Sequence, residues 1–259
     1  MSEPGERLPT ELRPEAEPLP QPSWRPWGAG WTLGLTLAVL ACYFAGQFLL
    51  SAIIGVVAAI GLGVSDVSGW VEAHVGFLVA ITTGVTAPLF ALLVVLLARA
   101  RGSIRGYLGL RWARWKPALG WAIVIAAFLC AFDLLGAWLG RPPIPDFMRN
   151  VYQTGEPLWV LWIALVIMAP LFEELLFRGF LIPGLEQRWG AVVAVLLSGG
   201  IFAVIHLQYD WFDVCAVFGL GAFLGAARVT TRSTLLPMVL HAGVNLVATV
   251  QAHWLLGGG

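Results

Sequence analysis

The sequence contains few charged residues. Asp, Glu, Lys and Arg make up 12% of its 259 residues, whereas a soluble domain contains about 25%. The 15 basic and 15 acidic residues balance, so there is no basic surplus of the kind that a nucleic-acid partner requires. Cysteine is also scarce: Cys42, Cys130 and Cys215 lie in apolar runs without CxxC spacing. They are predicted to be small core residues, which argues against a disulfide framework or a cysteine metal site.

Hydrophobic residues are abundant instead, at 59% of the chain, and recur in runs long enough to cross a hydrocarbon core of about 30 Å as helices. The sequence therefore predicts an all-α polytopic membrane protein, a helical bundle of about seven transmembrane helices within a range of roughly six to eight. The sixth span carries closely spaced glycines, which favour close helix packing. The predicted spans are 31–63, 75–98, 117–139, 157–182, 190–208, 213–228 and 234–256.

The first predicted span and the residues before it are irregular. Residues 31–63 are too many for one straight crossing, so this span is predicted to tilt or to break near Gly55 or Gly61. Residues 1–27 are rich in Pro and Glu and predict a disordered cytoplasmic tail, with a Pro-rich docking segment as the alternative. Acidic residues and prolines replace the basic start of a signal peptide, so none is expected. Residues 28–259 form the predicted transmembrane domain.

Basic residues are distributed unevenly between the two ends of these spans. Placing the 99–116 loop in the cytoplasm leaves Arg141 and Arg149 on the far side and Arg178 within a span. Because cytoplasmic loops carry an excess of Lys and Arg, this distribution predicts a cytoplasmic N-terminus and a C-terminus on the far side. The twelve residues on the cytoplasmic side are then Arg7, Arg13, Arg25, Arg99, Arg101, Arg105, Arg111, Arg114, Lys116, Arg188, Arg228 and Arg232.

Polar residues inside the apolar spans are candidates for function, because a charge at bilayer depth costs at least a few kcal/mol. Taken singly, each cluster also has a structural interpretation, as an ion pair, a packed histidine or an interhelical hydrogen bond. His74, His253 and Asp133 are interpreted as structural only. The three candidate clusters are Glu173, Glu174 and Arg178; Phe202 and His206; and His241 and Asn245.

The spacing within each cluster predicts which side chains share a helix face. Glu174 and Arg178 are four residues apart, so they stack on one face as an ion pair. Glu173 points about 100° away from Glu174 and stays free for a different partner. His241 and Asn245 are also four residues apart and share a face.

The depth of each residue in the membrane can be estimated from its distance to the nearest turn. A hairpin turn at residues 189–190 places Glu173 and His206 each about 16 residues from the turn, about 25 Å along their helices. These two residues are therefore predicted to meet. His241 lies only a few residues into the last span, so it would reach them only if the helices begin at different heights.

These residue types suit the hydrolysis of a peptide bond. A carboxylate and an imidazole can activate a shared water, and an imidazole with an amide can donate hydrogen bonds to an oxyanion. Alternatively, Glu173, His206 and His241 could ligate zinc, because two His, one Glu and a water form a known catalytic set. The spacing leaves both versions open. Either needs a water-accessible cavity within the membrane, which is predicted to open toward the cytoplasm.

The three clusters together resemble the motif triplet of a known family. EE-x-x-x-R, F-x-x-x-H and H-x-x-x-N are similar to the motifs of the CAAX-protease and bacteriocin-processing (CPBP, or Abi) family, which includes the type II CAAX prenyl endopeptidases. The sequence FRGFL after the glutamates agrees with this resemblance. The resemblance covers roughly residues 157–250, which form the predicted protease-like core.

The resemblance implies a role for each residue. Glu173 would be the general base and His206 its partner on the water. His241 and Asn245 would donate hydrogen bonds to the oxyanion, supported by the pair of Glu174 and Arg178. Family members are often described as metalloproteases; a metal-free reaction with a glutamate-activated water is favoured here, and zinc is the alternative cofactor.

The resemblance also implies a class of activity and a location. It implies an intramembrane endopeptidase in a prokaryotic plasma membrane, acting on a peptide or protein substrate with or without an attached lipid, in contact with membrane lipid. The family also contains bacteriocin immunity proteins and membrane scaffolds, so a non-catalytic membrane module is the alternative. A transporter is not favoured, because the chain carries no internal repeat.

Overall fold

The protein is helical throughout the part of the chain that the structure describes. The structure is a computed structural model, and it describes residues 24–257. Within this range there is no β-strand, and six helical segments are long and apolar enough to cross a membrane. The prediction of an all-α polytopic membrane protein is therefore confirmed.

The long helical segments agree with the predicted spans to within a few residues, except that the fourth segment combines two spans. Short helices occupy three of the connections: α2 (Val67–Ala73), α4 (Ile104–Leu108) and α6 (Asp146–Gln153). The long segments are α1 (Ala29–Leu62), α3 (Val75–Arg99), α5 (Trp115–Trp138), Leu158–Val204, α10 (Trp211–Thr231) and α11 (Leu235–Gly257).

The first long helix, α1, is unbroken over its 34 residues, so the predicted break near Gly55 or Gly61 does not occur. The helix ends at Gly63, whose φ of 69° is a left-handed conformation that glycine adopts readily. At 1.5 Å per residue, α1 is about 51 Å long. Because the hydrocarbon core is only about 30 Å thick, α1 must tilt or extend beyond it.

The fourth segment, Leu158–Val204, is a hairpin of two helical arms. Gly190 interrupts it with φ 78° and ψ 170°. The rings of Phe177 and Phe202, which lie on either side of this turn in the sequence, are 5.4 Å apart between centroids. The two predicted spans that this segment contains are therefore antiparallel arms, and the chain turns where the sequence predicts.

Two π-helical segments, which the sequence analysis did not predict, widen the first arm. Ala164–Met168 and Leu175–Leu181 each end two residues before a proline, Pro170 or Pro183. A proline lacks the N–H that continues the α-helical ladder, and its ring crowds the carbonyl four residues back. The wider turn accommodates this disruption. The α-helical pieces before, between and after the π segments are α7 (Leu158–Ile163), α8 (Ala169–Glu174) and α9 (Ile182–Val204).

The first arm of the hairpin lies at the centre of the bundle. All seven residues of its second π segment, Leu175–Leu181, are buried, and they share the main core with residues of α1 and α3. Large apolar side chains cover the outside of the bundle: Phe48, Ile60 and Trp138 are 78%, 83% and 81% exposed. Such a surface suits contact with lipid tails, which are as apolar as leucine.

The three cysteines lie on this outer surface. Cys42, Cys130 and Cys215 are free and exposed, so the prediction that they are core residues is wrong. An apolar run in a membrane protein can face either the protein interior or lipid, and both surroundings are apolar. Hydropathy alone therefore does not distinguish the two positions.

Connections gather at two opposite ends of the bundle, and one of them is rich in arginine. At this end, Arg111 Nε donates to the carbonyl of Arg232 at 2.8 Å, and Arg232 pairs with Glu186 at 2.7 Å. We call it the basic end. It comprises residues 24–28, the 100–114 connection, the turn at Gly190 and residues 232–234.

The opposite end is closed by contacts between three other connections. Arg141 forms an ion pair with Asp210, and the Gly76 N–H donates to Thr154 Oγ1 at 2.8 Å. This end comprises residues 63–74, 139–157 and 205–210.

The last residues of the predicted tail pack against the basic end. The Trp24 ring lies 5.8 Å from the Tyr107 ring between centroids, and Trp27 Nε1 donates to the carbonyl of Leu97 at 3.3 Å. The prediction of disorder for residues 1–23 lies outside the described residues.

Candidate functional site

Arg178, Glu174 and His241 form a buried polar chain at the centre of the bundle. The side chains of Arg178 and Glu174 are fully buried, with NH1 of Arg178 2.9 Å from Oε1 of Glu174. The same Oε1 lies 2.9 Å from Nδ1 of His241. The ion pair predicted from the four-residue spacing is therefore present. Because an ionised carboxylate only accepts hydrogen bonds, Nδ1 of His241 must donate, which fixes the orientation of the ring.

A close helix crossing completes the environment of Arg178. Its NH2 donates to the carbonyl of Gly221 on α10 at 2.9 Å. Any Cβ at Gly221 would lie 3.2 Å from the Cα of Gly199 on the second arm, so glycine allows the two backbones to approach. The close packing predicted from the glycines of this span therefore serves a specific contact, because it brings a backbone carbonyl to the buried guanidinium.

Glu173 faces the other nitrogen of the same imidazole. Its Oε2 lies 3.7 Å from Nε2 of His241, and its side chain is 14% exposed. Glu173 thus has a partner separate from that of Arg178, as the helix geometry predicts. A direct contact between Glu173 and His206 is absent, because neither ring nitrogen of His206, also within residues 24–257, pairs with Glu173 within 4.0 Å. A contact through one shared water stays a prediction.

His206 lies just beyond the end of the second arm, where the helix stops at Val204. Its Nδ1 is 2.7 Å from the carbonyl of Phe202, so Nδ1 donates and the neutral ring leaves a lone pair on Nε2. The Phe202 ring contacts both histidines, 4.7 Å from the ring of His206 and 5.7 Å from that of His241 between centroids. Phe202 therefore forms part of the wall of the site next to the histidines, as predicted.

Asn245 is held by the first π segment. Its Nδ2 donates to the carbonyl of Leu165 at 2.8 Å. An amide nitrogen carries two hydrogens, so one donor remains for another acceptor. Asn245 follows His241 by one helical turn on α11, and both side chains point to the same side, as the spacing predicts.

The depth of His241 is explained by the different heights at which the helices begin. The ion pair between Arg232 and Glu186 sets the turn before α11 beside the first arm, short of the hairpin turn at Gly190. The hairpin therefore extends beyond the start of α11. Counted from the Arg232–Glu186 pair, His241 lies about nine residues along α11, and Glu174 lies about twelve residues back along the first arm. The two residues therefore differ in depth by about 5 Å along their helices.

The candidate residues line one cavity of about 520 Å³. Glu173, His206, His241 and Asn245 all contribute to its wall, so the predicted convergence of the three clusters is present in the fold. The remaining lining is mostly apolar. A few convergent polar groups in an otherwise apolar cavity are typical of a ligand or active site.

The cavity lies toward the end of the bundle opposite the basic end. Its wall includes Met148, Tyr152 and Asp213, from or beside the connections of that end. The sequence analysis predicts both a cytoplasmic 99–116 loop and a cavity that opens toward the cytoplasm, and the structure places these features at opposite ends. The two predictions exclude one another. Only one of them can hold, and the orientation of the bundle in the membrane decides which.

Several polar residues of the cavity were missed by the sequence analysis. Tyr43, Gln47 and Tyr209 line it together with Glu173. Burial raises the pKa of the Tyr209 hydroxyl above its ordinary value, and the charge of Glu173 adds to the shift, so this hydroxyl remains a hydrogen-bond donor. The sequence feature that could have indicated Tyr209 is its position three residues after His206.

The residues of the predicted zinc set are not gathered as metal ligands. Among residues 24–257, no group of three His, Cys, Asp or Glu side chains stands close enough together to hold a metal ion. Both ring nitrogens of His241 instead face carboxylates, and Nδ1 of His206 faces a backbone carbonyl. The arrangement therefore does not fit the predicted ligand set of Glu173, His206 and His241.

The residues interpreted as structural lie apart from the cavity wall. His74 Nδ1 is 2.7 Å from the carbonyl of Trp70 and its ring stacks on the Trp70 ring. The ring of His253 lies edge-on to that of Trp162, with centroids 6.0 Å apart. Asp133 lies on the peripheral helix α5.

The fold and site together define a multi-pass membrane protein with a carboxylate–imidazole cluster beside an internal cavity. Residues 155–247 match the model of the family described as type II CAAX prenyl endopeptidase Rce1-like. This match confirms the family resemblance for the part of the chain that carries all three motifs.

Curated relatives are more distant. An uncharacterized 24.3 kDa protein of Escherichia coli is 28% identical over 51% of this chain and 66% of its own length. The UPF0177 protein YbdI of Lactococcus lactis is 28% identical over 39% and 54%, and CAAX prenyl protease 2 of Caenorhabditis elegans is 27% identical over 34% and 39%. In each case the match covers less than two thirds of the relative's length. No solved structure matches the chain significantly.

Proposed function

We propose that this protein is an intramembrane endopeptidase that hydrolyses a peptide bond of a substrate held in the cavity. The observation that carries the proposal is the separation of 3.7 Å between Glu173 Oε2 and His241 Nε2 at the cavity wall. At this separation a water held by Glu173 and a substrate carbonyl oxygen held by His241 can lie side by side. The family match over residues 155–247 and the relative named CAAX prenyl protease 2 support the proposal.

Glu173 is the proposed general base. It takes a proton from a water while the oxygen of that water attacks the carbonyl carbon of the substrate. The electron pair of the carbonyl moves onto its oxygen. His206, with Nε2 directed away from its own helix, accepts the second hydrogen bond of the water and orients it.

His241 and Asn245 are the proposed donors to the resulting oxyanion. The donor role of His241 requires a protonated ring, with Nδ1 donating to Glu174 and Nε2 to the oxyanion. Asn245 contributes the amide hydrogen that Leu165 does not use. When the C–N bond breaks, Glu173 returns its proton to the leaving amine.

Glu174 and Arg178 are positioning residues in this scheme. Glu174 fixes the His241 ring through Nδ1, and Arg178 compensates the charge of Glu174 in a fully buried location. Neither residue needs to contact the substrate. Their burial keeps the cluster in one arrangement before substrate binds.

The substrate is proposed to enter from the side of the membrane opposite the basic end. The excess of Lys and Arg at the basic end favours a cytoplasmic location for that end, so the cavity is reached from the other half of the bilayer. The substrate class is a peptide or protein segment at the membrane surface, with or without an attached lipid.

Membrane orientation is tested by cysteine labelling in intact cells. After replacement of the three native cysteines with alanine, Asp146→Cys is expected to react with a membrane-impermeant thiol reagent, because Asp146 is 93% exposed at the cavity end. Arg114→Cys, at the basic end, is expected to react only after permeabilisation. The reverse pattern would place the cavity toward the cytoplasm and overturn the proposed route of entry.

Hydrolysis itself is tested with purified protein in lipid nanodiscs and matched lipidated and unlipidated peptides. We expect cleavage that persists after thorough chelation and dialysis, since Glu173 and the two histidines act through protons and hydrogen bonds in this scheme. Product peptides are identified by mass spectrometry and bound zinc by elemental analysis. Stoichiometric zinc that is lost together with activity, and restores it on addition, would contradict the metal-free reaction while leaving the endopeptidase proposal intact.

A further inference from the structure

Another cavity, of about 540 Å³, lies at the basic end and is separate from the candidate active site. Four guanidinium groups and one carboxylate stand among its described lining residues. The lining includes Trp24, Arg105, Arg111, Glu186, Arg228 and Arg232.

The one carboxylate among the described lining residues is already engaged. Both oxygens of Glu186 accept hydrogen bonds from NH1 of Arg232, at 2.8 and 2.7 Å. Within residues 24–257, Arg105, Arg111 and Arg228 have no carboxylate partner. Among the described lining residues, four guanidinium groups therefore share one space with a single carboxylate.

Arg228 is the residue that most requires an anion. It is only 5% exposed, and its Nε donates to the backbone carbonyl of Arg178 at 3.1 Å. No acceptor within residues 24–257 takes a hydrogen bond from its two terminal nitrogens. A buried cation without a partner is unfavourable unless another group neutralises it.

The backbone next to Arg228 leaves room for the guanidinium. Gly109 adopts a φ of 64°, and a Cβ at this position would lie 2.7 Å from NH2 of Arg228. A glycine is thus required both by the backbone conformation and by the space that the guanidinium occupies. The fold therefore holds the guanidinium of Arg228 in a defined position at the cavity wall.

We propose that this cavity binds a phosphate group, either the headgroup of an anionic phospholipid or a free phosphate compound. A planar guanidinium matches two phosphate oxygens at once, and several arginines around one cavity give a charge-assisted site. Basic clusters at a membrane surface attract anionic headgroups. Trp24 beside the cavity is a side chain that favours the level of the headgroups.

Phosphate binding at this site affects the candidate active site through one contact. Arg228 Nε binds the carbonyl of Arg178, and the side chain of Arg178 binds Glu174. A phosphate that neutralises Arg228 therefore stabilises the buried arm that carries the polar chain. Its effect on protein stability is independent of catalysis, whereas an effect on hydrolysis rests on the proposed function.

The test compares the thermal stability of purified protein in nanodiscs of phosphatidylcholine alone, phosphatidylcholine with phosphatidylglycerol, and phosphatidylcholine with added inorganic phosphate at constant ionic strength. We expect a higher Tm in one or both phosphate-containing arms. Arg105→Gln and Arg228→Lys are expected to weaken binding about tenfold, since each loses a charge-assisted contact. Arg114→Gln, which changes an exposed arginine of the same end outside the cavity, is the matched control and should bind like the wild type.

The arms distinguish the two sources of phosphate. A Tm increase with phosphatidylglycerol only assigns the site to a lipid headgroup, and an increase with inorganic phosphate assigns it to a free phosphate compound. No increase in either arm, or an equal increase in Arg105→Gln and Arg114→Gln, would overturn the proposal. Because the readout is Tm, a failure here leaves the endopeptidase assay unaffected, and the converse also holds.

Discussion

Replacing Glu173 with glutamine is expected to lower the rate of peptide hydrolysis about 10²- to 10⁴-fold. Glutamine has nearly the same shape as glutamate but cannot accept a proton from water. The Glu173 side chain is 14% exposed and, among residues 24–257, forms no ion pair closer than the 3.7 Å contact with His241, so folding should be nearly unchanged. The measurements are the rate of peptide cleavage and the Tm of the same purified preparation.

Glu72→Gln provides the matched control for this variant, because Glu72 is an exposed glutamate of α2 outside the cavity. Its activity and Tm should equal those of the wild type. If Glu173→Gln retains substantial activity at a wild-type Tm, Glu173 is not the base. If it loses activity only in proportion to a loss of folded protein, its role is structural.

Replacing Arg178 with methionine is expected to destabilise the protein by about 3–5 kcal/mol. The substitution leaves the carboxylate of Glu174 fully buried with His241 as its remaining partner, and it also removes the hydrogen bond to the Gly221 carbonyl. The measurement is reversible unfolding in detergent, or Tm where unfolding is irreversible. Arg114→Met is the control: Arg114 is an exposed arginine at the basic end, so its loss should change stability by less than about 0.5 kcal/mol.

A double variant separates the lost charge pair from the lost packing. Replacing both partners, as Arg178→Met with Glu174→Leu, removes the uncompensated charge and should recover much of the stability. Hydrolysis should remain impaired, because Nδ1 of His241 then has no acceptor to orient it. A single Arg178→Met variant as stable as the wild type would show that the buried chain does not hold the hairpin in place.

The parts of the fold that could be predicted from sequence depend on local regularities. Hydropathy located the long helices because every span must fill a hydrocarbon core, and Gly190 marked the hairpin turn. The pairing of Glu174 with Arg178 followed from a four-residue spacing, which a helix converts directly into contact. These features depend only on nearby residues.

The parts that were missed depend on how the helices pack. The direct contact of Glu173 with His241 was not predicted, because α11 begins deeper than the hairpin turn, and the ion pair between Arg232 and Glu186 that sets this height joins distant residues. The π segments lie just before the two prolines of a tightly packed helical arm. The outward position of Cys42 could not be read from hydropathy, since lipid and protein interior are equally apolar.

The cavity has features that the sequence predicts and features that it does not. Its four candidate residues were found from sequence, because charged and polar groups in apolar spans are few. The end of the bundle toward which the cavity lies was not, because it depends on the heights at which distant helices begin. The roles of these residues stay predictions until activity is measured.

The most direct test of the central claim is the incorporation of ¹⁸O into membrane peptides. Purified protein is incubated with isolated membranes in H₂¹⁸O, and new carboxyl termini are read by mass spectrometry, which requires no knowledge of the substrate. The account predicts a set of ¹⁸O-labelled termini with wild-type protein that is absent with Glu173→Gln. Identical sets of termini with the two proteins would contradict the claim that this membrane protein hydrolyses peptide bonds through Glu173.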